Sequence, residues 1–388
     1  MLTDIRHTVI FSKNGKAILV IVLAMFATYA LNLLGTLHLL ENWTLDNFIL
    51  VSKRHAVSDI MIVDISDADY DRIFAGRSPL DPEKLHRLIG AIARSKPKLI
   101  AVDVDTSNPV FRNFKIDSTW TSVIWERDIS GVARVGEESV EPQDVLGGQS
   151  KFNRRSGIPA LRDDPEDKVT RLYTQCVDTK AGRIPTFVFI AAVVFLDKEV
   201  GQSASMCAGG SKEPMYINYS LDGETSLSAS RVLELSDTKE NGGAEQIIPE
   251  FVGKLVILGG DYRDFDRHFT PLGILPGVVV LANAIETELK GHSMKVTPKW
   301  LILLIEFLGG ASVVAALQVL QISPIKAAIF GIPLTFLFAI ILSLVAFQNG
   351  SRWGNFVPTL IAVLIFEIYE HVRLESIQSA VHSNKANK

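Results

Sequence analysis

Short apolar runs and one amphipathic stretch alternate between residues 59 and 103 of the chain. Asp59–Asp64 and Lys98–Asp103 each contain four consecutive apolar residues followed by an acid, which predicts two buried strands. Asp81–Ala93 lies between them and has an aspartate at the cap position, proline in the first turn and apolar residues at helical spacing. This succession predicts a parallel βαβ unit with a right-handed crossover.

A second pattern of strand, loop and helix lies before residue 294. Lys254–Asp261 is apolar up to a glycine pair and ends in an acid, which predicts another buried strand. Asp261–Pro271 is polar and gathers several acids and one histidine, so we interpret it as a candidate binding loop. Val280–Leu289 has apolar residues at helical spacing, and Gly291 ends that helix.

The segment between these two patterns is less regular. A polar, glycine-rich stretch at Gly131–Lys151 predicts a long exposed loop. The remaining periodic runs predict the strands Thr121–Trp125, Lys168–Val177 and Met215–Tyr219 and the helices Thr186–Phe195 and Ser228–Leu235. We therefore expect an α/β domain over residues 41–298, with a largely parallel sheet flanked by helices.

Four long apolar stretches flank this domain, one before it and three after it. Since about 20 apolar residues cross a bilayer, they predict a bundle of four transmembrane helices at residues 17–40, 299–320, 327–347 and 354–370. Basic residues in the tails, 1–16 and 371–388, place both termini in the cytoplasm by the positive-inside rule. The domain between the first two spans is then expected outside the plasma membrane.

The overall charge excludes one class of partner. The chain has 39 Lys and Arg residues against 43 Asp and Glu residues, which leaves no basic field to hold a polynucleotide. We therefore expect no nucleic-acid partner.

The two cysteines, Cys176 and Cys207, both fall in the segment expected outside the cell. An oxidising compartment permits a disulfide between them. Two separate buried thiols fit the sequence as well, so both alternatives stay open at this stage.

Acidic residues mark the ends of three predicted strands, at Asp64, Asp103 and Asp261. Ligands in open α/β sheets bind beyond the carboxyl ends of the strands, so these carboxylates converge on one crevice if the strands are parallel neighbours. The further candidates Asp105, Asp266 and His268 follow two of these strands. Such a cluster fits a divalent cation or a polar ligand. The alternative is structural, with the acids capping helices or orienting neighbouring arginines.

Polar and small residues also stand out within the predicted spans. Glu306 and Glu367 lie in the second and fourth spans, where a carboxyl group should face protein or water rather than lipid. Gly309, Ser312 and Ala316 form a stripe of small residues that allows two helices to approach closely. Packing within the bundle and contact with a membrane partner or a second copy are the two interpretations.

The order of these elements resembles the second family of CHASE domains, the cyclase and histidine-kinase associated sensory extracellular modules of bacteria. Motifs spread over roughly residues 44–298 carry the resemblance: Val63-Asp64, Leu99–Asp103, Asp164–Arg171, Ile217–Tyr219, Gly253–Gly259, Asp266–Pro271, Pro276-Gly277 and Ala282-Asn283. The arrangement of one span before the domain and three after it is also similar to this family.

The resemblance implies a sensory module in the plasma membrane of a bacterium. Such domains usually feed a cytoplasmic cyclase, kinase or phosphatase, whereas only residues 371–388 follow the last predicted span. We therefore expect a sensor that acts on a separately encoded effector, as a homo- or hetero-oligomer. The alternative is a structural subunit that assembles a membrane complex. We expect no enzymatic activity, because Val102–Ser107 matches an aspartyl nucleophile loop only loosely.

Overall fold

The computed structural model describes residues 34–51, 58–118, 122–130, 141–149, 155–179, 182–197, 214–221, 225–237, 247–263 and 266–291 almost completely, together with shorter stretches elsewhere. The chain divides into two compact units. One comprises Ile49–Met294, and the other combines Met1–Phe48 with Lys295–Lys388.

Fifteen strands are described in the unit Ile49–Met294. They are β1 (Ile60–Ser66), β2 (Leu99–Asp103), β3 (Ser122–Glu126), β4 (Ile129–Ser130), β5 (Glu141–Pro142), β6 (Ser156–Gly157), β7 (Leu161–Asp163), β8 (Thr170–Tyr173), β9 (Cys176–Thr179), β10 (Gly182–Pro185), β11 (Met215–Tyr216), β12 (Ser226–Ser228), β13 (Leu255–Asp261), β14 (Arg267–Thr270) and β15 (Gly273–Pro276).

Seven α-helices are described in the chain. They are α1 (His38–Val51), α2 (Asp67–Phe74), α3 (Pro82–Arg94), the short α4 (Val145–Gly148), α5 (Phe187–Phe195), α6 (Ala229–Asp237) and α7 (Gly277–Lys290). Two 3₁₀ turns accompany them, at Pro109–Asn113 and Pro249–Phe251.

The centre of the domain is a six-stranded sheet in the order β12-β1-β13-β2-β3-β6. Every neighbouring pair in it is parallel. The central strands are almost wholly buried, as expected for a parallel sheet covered by helices on both faces. The α/β prediction with a largely parallel, helix-flanked sheet is therefore confirmed for this unit.

Alternation of side chains along the strands produces two cores, one on each face of the sheet. On one face Val63, Val102, Trp125 and Leu258 pack with apolar residues of α2, α3 and α6. On the other face α5 and α7 pack against each other and against β1, β2, β3, β6 and β13. The domain is thus a three-layer α/β/α structure, and α7 lies on the layer opposite α3.

Local capping explains where the helices begin. Asp81 accepts hydrogen bonds from the backbone N–H groups of Glu83 and Lys84 at the start of α3, as its position before proline predicts. Ser66 and Asp69 form a reciprocal capping box at the start of α2. By contrast, α7 follows Pro276 and has no side-chain cap.

A disulfide links Cys176 on β9 with Cys207, with their Cα atoms 6.0 Å apart. Both residues are buried, and the guanidinium of Arg183 donates a hydrogen bond of 2.9 Å to the carbonyl oxygen of Cys207. The bridge closes a loop across a sequence separation of 31 residues. Of the two alternatives that the sequence leaves open, the structure has the bridge.

Several boundaries differ from the sequence predictions. Lys168–Val177 is not one strand but two, β8 and β9, because the Thr174 carbonyl accepts a hydrogen bond from the Thr186 hydroxyl at 2.7 Å. The predicted loop Gly131–Lys151 is not exposed throughout. Val145 and Leu146 are buried, since the backbone of this segment hydrogen-bonds to Thr106.

Two further corrections concern the second pattern. The polar stretch Asp261–Pro271 is partly ordered as the antiparallel hairpin β14–β15, with Phe269 opposite Ile274. The helix predicted at Val280 begins at Gly277 instead. In addition, β1 and β2 are not neighbours as a simple βαβ unit requires, because β13 lies between them.

The second and fourth predicted spans lie outside the residues that the structure describes, as do Glu306, Gly309, Ser312, Ala316 and Glu367, and the first and third predicted spans are described only in part. Within the described part of the chain, no helix combines the length and apolarity needed to cross a bilayer. In the second unit, the short strands β16 (Lys295–Val296) and β17 (Arg352–Trp353) pair in parallel.

Candidate functional site

A crevice of about 520 Å³ opens at the carboxyl ends of the parallel strands. This is the edge at which α/β sheets commonly bind ligands. Its polar lining combines four carboxyl groups, an imidazole and a phenol, contributed by Asp103, Asp105, Glu126, Asp266, His268 and Tyr262. Pro159, Leu161 and Leu281 form an apolar wall. We call this space the acidic crevice.

Asp103 and Glu126 form the centre of the acidic crevice. They end the neighbouring strands β2 and β3, whose register pairs Val102 with Trp125, so their side chains emerge side by side on the α7 face. A hydrogen bond joins the two carboxyl groups. Two carboxylates at such close range cannot both ionise easily, so the pair retains a proton that the two groups share.

Burial and mutual repulsion both act on this pair. Burial raises the pKa of Asp103 from 3.8 to about 7, and the negative charge of Asp266 adds to the shift. Burial likewise raises the pKa of Glu126 well above its ordinary value, followed by repulsion from Asp103 and Asp128. Both residues keep some contact with water, so their proton can exchange with solvent.

His268 bridges two carboxylates at the rim of the crevice. Its Nε2 lies 3.1 Å from Asp266 Oδ1, and its Nδ1 lies 3.2 Å from the hydroxyl oxygen of Thr170. The Thr170 hydroxyl donates its own proton to Asp163 at 2.5 Å, so its oxygen accepts from Nδ1–H. An imidazole that donates from both nitrogens is the charged form.

The electrostatics of His268 agree with this hydrogen-bond pattern. Burial lowers the pKa of His268, but the hydrogen bond and charge of Asp266, together with those of Asp163, outweigh burial and raise it above 6.5. His268 therefore remains positively charged to a higher pH than an exposed histidine. It is held against the carboxylate of Asp266, which also faces Asp103.

Three glycines allow the elements of the site to approach closely. A Cβ on Gly277 would lie 1.7 Å from Asp266 Oδ2, so the first residue of α7 must be glycine for that carboxylate to sit there. A Cβ on Gly259 would lie 2.6 Å from Val278 and 3.0 Å from Asp103 Oδ2. The Gly259-Gly260 pair at the end of β13 thus makes room for α7 and for the acidic crevice.

Tyr262 forms the aromatic side of the crevice. Its ring stacks on Tyr70 of α2 with centroids 4.3 Å apart and planes within 7° of parallel, and Arg263 lies over Tyr70. Burial raises the pKa of Tyr262 to about 12, and the neighbouring carboxyl groups contribute to that shift. The phenol consequently remains a neutral hydrogen-bond donor at physiological pH.

The structure brings together four of the six candidates predicted from the sequence, namely Asp103, Asp105, Asp266 and His268. Asp64 and Asp261 do not line the crevice. The register places Gly259 between Asp64 and Asp103, and Val278 covers that glycine.

The two excluded acids have structural partners instead. Asp64 accepts a hydrogen bond of 2.8 Å from Ser226 on β12. Asp261 pairs with Arg267 at 3.0 Å, which is the arginine-orienting role that the structural alternative describes. Of the three strand-end acids, only Asp103 therefore lines this crevice.

Glu126 and Tyr262 are the lining residues that sequence reasoning missed. The prediction ended the third strand at Trp125, one residue before Glu126. The signal for Glu126 is an apolar run followed by an acid, Val123–Glu126, which is the same kind of pattern that identified Asp103. For Tyr262 no comparable pattern exists, because its position depends on stacking with a residue 192 positions earlier, Tyr70.

Among the residues described, no group of three or more histidine, cysteine, aspartate or glutamate side chains is arranged to hold a metal ion. What the arrangement offers chemically is a shared proton, several hydrogen-bond acceptors and one neutral phenol donor. These groups fit a polar ligand or a proton.

A second, wider groove of about 1120 Å³ lies beside the acidic crevice, and Ser78 lines both. Its charged lining residues have opposite signs, with Arg77 and Lys115 against Asp81 and Glu83. Asp81 is already engaged as the cap of α3. Although this groove is larger, it concentrates no single kind of chemistry, so we place the candidate site in the acidic crevice.

Comparison with protein families identifies the domain. The family model described as "CHASE2 domain" matches residues 18–317, which is more than half of the chain. The chain belongs to the CHASE2 family. This match confirms the resemblance that the sequence motifs indicate. CHASE2 domains are sensory. Neither the curated proteins nor the solved structures contained a match to this chain.

Several motifs of this CHASE2 domain stabilise the architecture around the crevice rather than line it. Arg171 is 3% exposed and binds both carboxylate oxygens of Asp167, at 2.9 and 2.8 Å. Asn283 of α7 accepts a hydrogen bond from the backbone N–H of Leu221, and the Thr287 hydroxyl accepts one from the N–H of Asn218. The last two bonds hold α7 against the segment that follows β11.

Proposed function

We propose that this CHASE2 protein is a membrane-anchored sensor that binds its stimulus in the acidic crevice and relays it to a separately encoded effector. The observation that carries the proposal is the convergence of Asp103, Glu126, Asp266 and His268 on one concave site at the carboxyl edge of the sheet. Burial and repulsion raise the pKa values of Asp103 and Glu126, and its carboxylate partners raise the pKa of His268. Perturbed pKa values of this kind are typical of functional sites. No catalytic step is part of the proposal.

Two observations support an extracytoplasmic location for the domain. The disulfide between Cys176 and Cys207 is of the kind that persists in oxidising compartments. In the second unit, β16 and β17 pair directly before the predicted second span and directly before the predicted fourth span. The second and third predicted spans lie between the two strands, so the predicted topology puts both strands on the outer side of the membrane.

Thiol labelling of intact cells tests this topology. A cysteine introduced at Ser139 should react with a membrane-impermeant reagent, whereas one at Ser383 should react only after the cells are permeabilised. Labelling of Ser383→Cys in intact cells would contradict the proposed orientation.

The relay is proposed to run through α7. Its first turn borders Asp103 and Asp266, it ends at Gly291, and the second predicted span begins at residue 299. A short connection preserves orientation, whereas a flexible Gly-Ser linker loses it. Insertion of about six Gly-Ser residues after Met294 should leave the domain folded but abolish the response of the effector. An unchanged response would exclude this route.

Ligand binding is tested by thermal unfolding of the purified full-length chain with a library of small polar molecules. A compound that binds only the folded state stabilises by about 2.7 kcal/mol at 100 times its dissociation constant. We expect such a compound to lose its effect on the Asp103→Asn variant and to keep it on Asp64→Asn, the matched aspartate outside the crevice. Equal loss in both variants, or in neither, would argue against the acidic crevice.

A second candidate function is assembly of a membrane complex, favoured by one exposed apolar surface. Phe269 and Ile274 are paired across the hairpin β14–β15 and are 60% and 55% exposed. Exposed apolar pairs of this kind occur at contact surfaces. If assembly is the function, the double variant Phe269→Ser/Ile274→Ser should reduce the size of the purified complex in light scattering, while Asp103→Asn should not.

A further inference from the structure

We propose that the ligand of the acidic crevice is the proton itself, so that the domain senses external acidity through the shared proton of Asp103 and Glu126. This inference rests on the proposed sensory function and narrows it to one stimulus. The pair lines the crevice, and its two carboxyl groups are hydrogen-bonded to each other. A pair in this position already has a proton as its bound partner.

The surroundings of the pair make its proton responsive near neutral pH. The groups that act on it come from every neighbouring element: Asp105 follows β2, Asp128 follows β3, Tyr262 follows β13, Asp266 precedes β14 and His268 lies on β14. Within the described chain, His268 is the one member of this set that carries positive charge. The remaining carboxyl groups repel a second negative charge on the pair and so favour retention of the proton.

Loss of the proton changes the charge that faces two elements at once. One is the first turn of α7. Val278 of this turn and Asp103 Oδ2 both lie next to Gly259, and Gly277 of the same turn lies against Asp266. The other is the hairpin β14–β15, because His268 holds Asp266 from the opposite side. An additional negative charge at Asp103 repels the Asp266 carboxylate and attracts the positive end of the helix dipole of α7.

The two forces pull in different directions, so the proton selects between two arrangements. In the protonated crevice, Asp266 stays between Gly277 and His268. In the deprotonated crevice, repulsion moves Asp266 and the hairpin away from β2, and the first turn of α7 is drawn toward Asp103. Because α7 is one continuous helix from Gly277 to Lys290, this displacement is passed on to its far end, where the proposed relay leaves the domain. This is a small, discrete shift of the kind used by molecular switches.

The first experiment measures the proton directly in the purified full-length chain. Infrared spectroscopy across a pH series should show a protonated carboxyl group that persists to near-neutral pH in the wild type. This band should be lost or shifted in both Asp103→Asn and Glu126→Gln and unchanged in Glu250→Gln, an exposed glutamate on the same domain. Complete ionisation of the wild-type chain at mildly acidic pH would overturn the inference.

The second experiment measures the structural response by hydrogen exchange. The amide exchange rates of the first turn of α7 and of the hairpin are divided by the exchange rate of α3 in the same sample. This ratio cancels the pH dependence of the chemical exchange step itself. One linked proton changes an opening equilibrium by at most about tenfold per pH unit. We expect a several-fold change in the wild type and a clearly smaller change in both variants, and a change of equal size in the variants would overturn the inference.

The outcomes separate this inference from the sensory proposal on which it rests. The wild type could show no pH-dependent transition while a small molecule still stabilises it only when Asp103 is present. In that case the proposed sensory function is supported, and the proton is not its ligand. If one variant fails to fold by circular dichroism, the other is used, since each removes one of the two groups. If neither folds, the infrared titration of the wild-type chain decides alone.

Discussion

Replacement of Asp103 by asparagine should change how the stability of the chain depends on pH. The side chain keeps its shape, but the carboxyl group that shares a proton with Glu126 is removed. Asp103 has a folded-state pKa of about 7, above the 3.8 of an exposed aspartate, so the folded chain binds a proton that the unfolded chain has lost. Its contribution to stability is therefore fully present below about pH 4 and is lost as the pH rises through about 7.

The magnitude follows from this difference. A difference of one pKa unit corresponds to about 1.4 kcal/mol, so the full shift gives a ceiling of about 4 kcal/mol between pH 4 and pH 7. Since the pair stays partly accessible to water, we expect a loss of about 1–2 kcal/mol in the wild type. In the Asp103→Asn variant only part of that loss should remain, because Glu126 is still buried and still faces Asp128 and Asp266 but no longer faces the charge of Asp103.

The assay is thermal unfolding of the full-length chain in a pH series from 4.5 to 8, values chosen to bracket roughly the window of this linkage. At the acidic end of the series, the Asp103→Asn variant should be as stable as the wild type or less stable. At the alkaline end, it should be more stable than the wild type. Glu250→Gln serves as the control and should run parallel to the wild type. Parallel curves for Asp103→Asn, or a wild type that gains stability as the pH rises from 5 to about 7, would refute the reasoning.

Two further predictions concern the disulfide and the approach of α7. The double variant Cys176→Ala/Cys207→Ala should lose about 3–4 kcal/mol in thermal unfolding, because the bridge closes a loop across 31 residues; an unchanged midpoint would contradict this. Gly277→Ala should displace the Asp266 carboxylate and thereby lower the pKa of His268, measured by NMR titration of the imidazole. A histidine that titrates unchanged in that variant would show that Asp266 does not hold its proton.

The sequence by itself determined the local elements of this domain. Strands and helices such as β2, β13 and α3 follow from apolar runs, helical spacing and caps that are encoded within a few residues. The same patterns predicted the parallel sheet, and the motifs along the chain identified the family. They also identified the acids Asp64, Asp103 and Asp261, because an apolar run followed by a carboxylate is visible without any knowledge of the fold.

Only the tertiary structure decided which of those acids meet. Asp64 and Asp103 look equivalent in the sequence, but β13 inserts between their strands and Val278 fills the space above Gly259. Glu126 becomes the partner of Asp103 because β3 pairs with β2 in a register that a single sequence does not specify. Strand order and register depend on contacts between residues far apart in the chain, whereas propensity and periodicity report only on near neighbours.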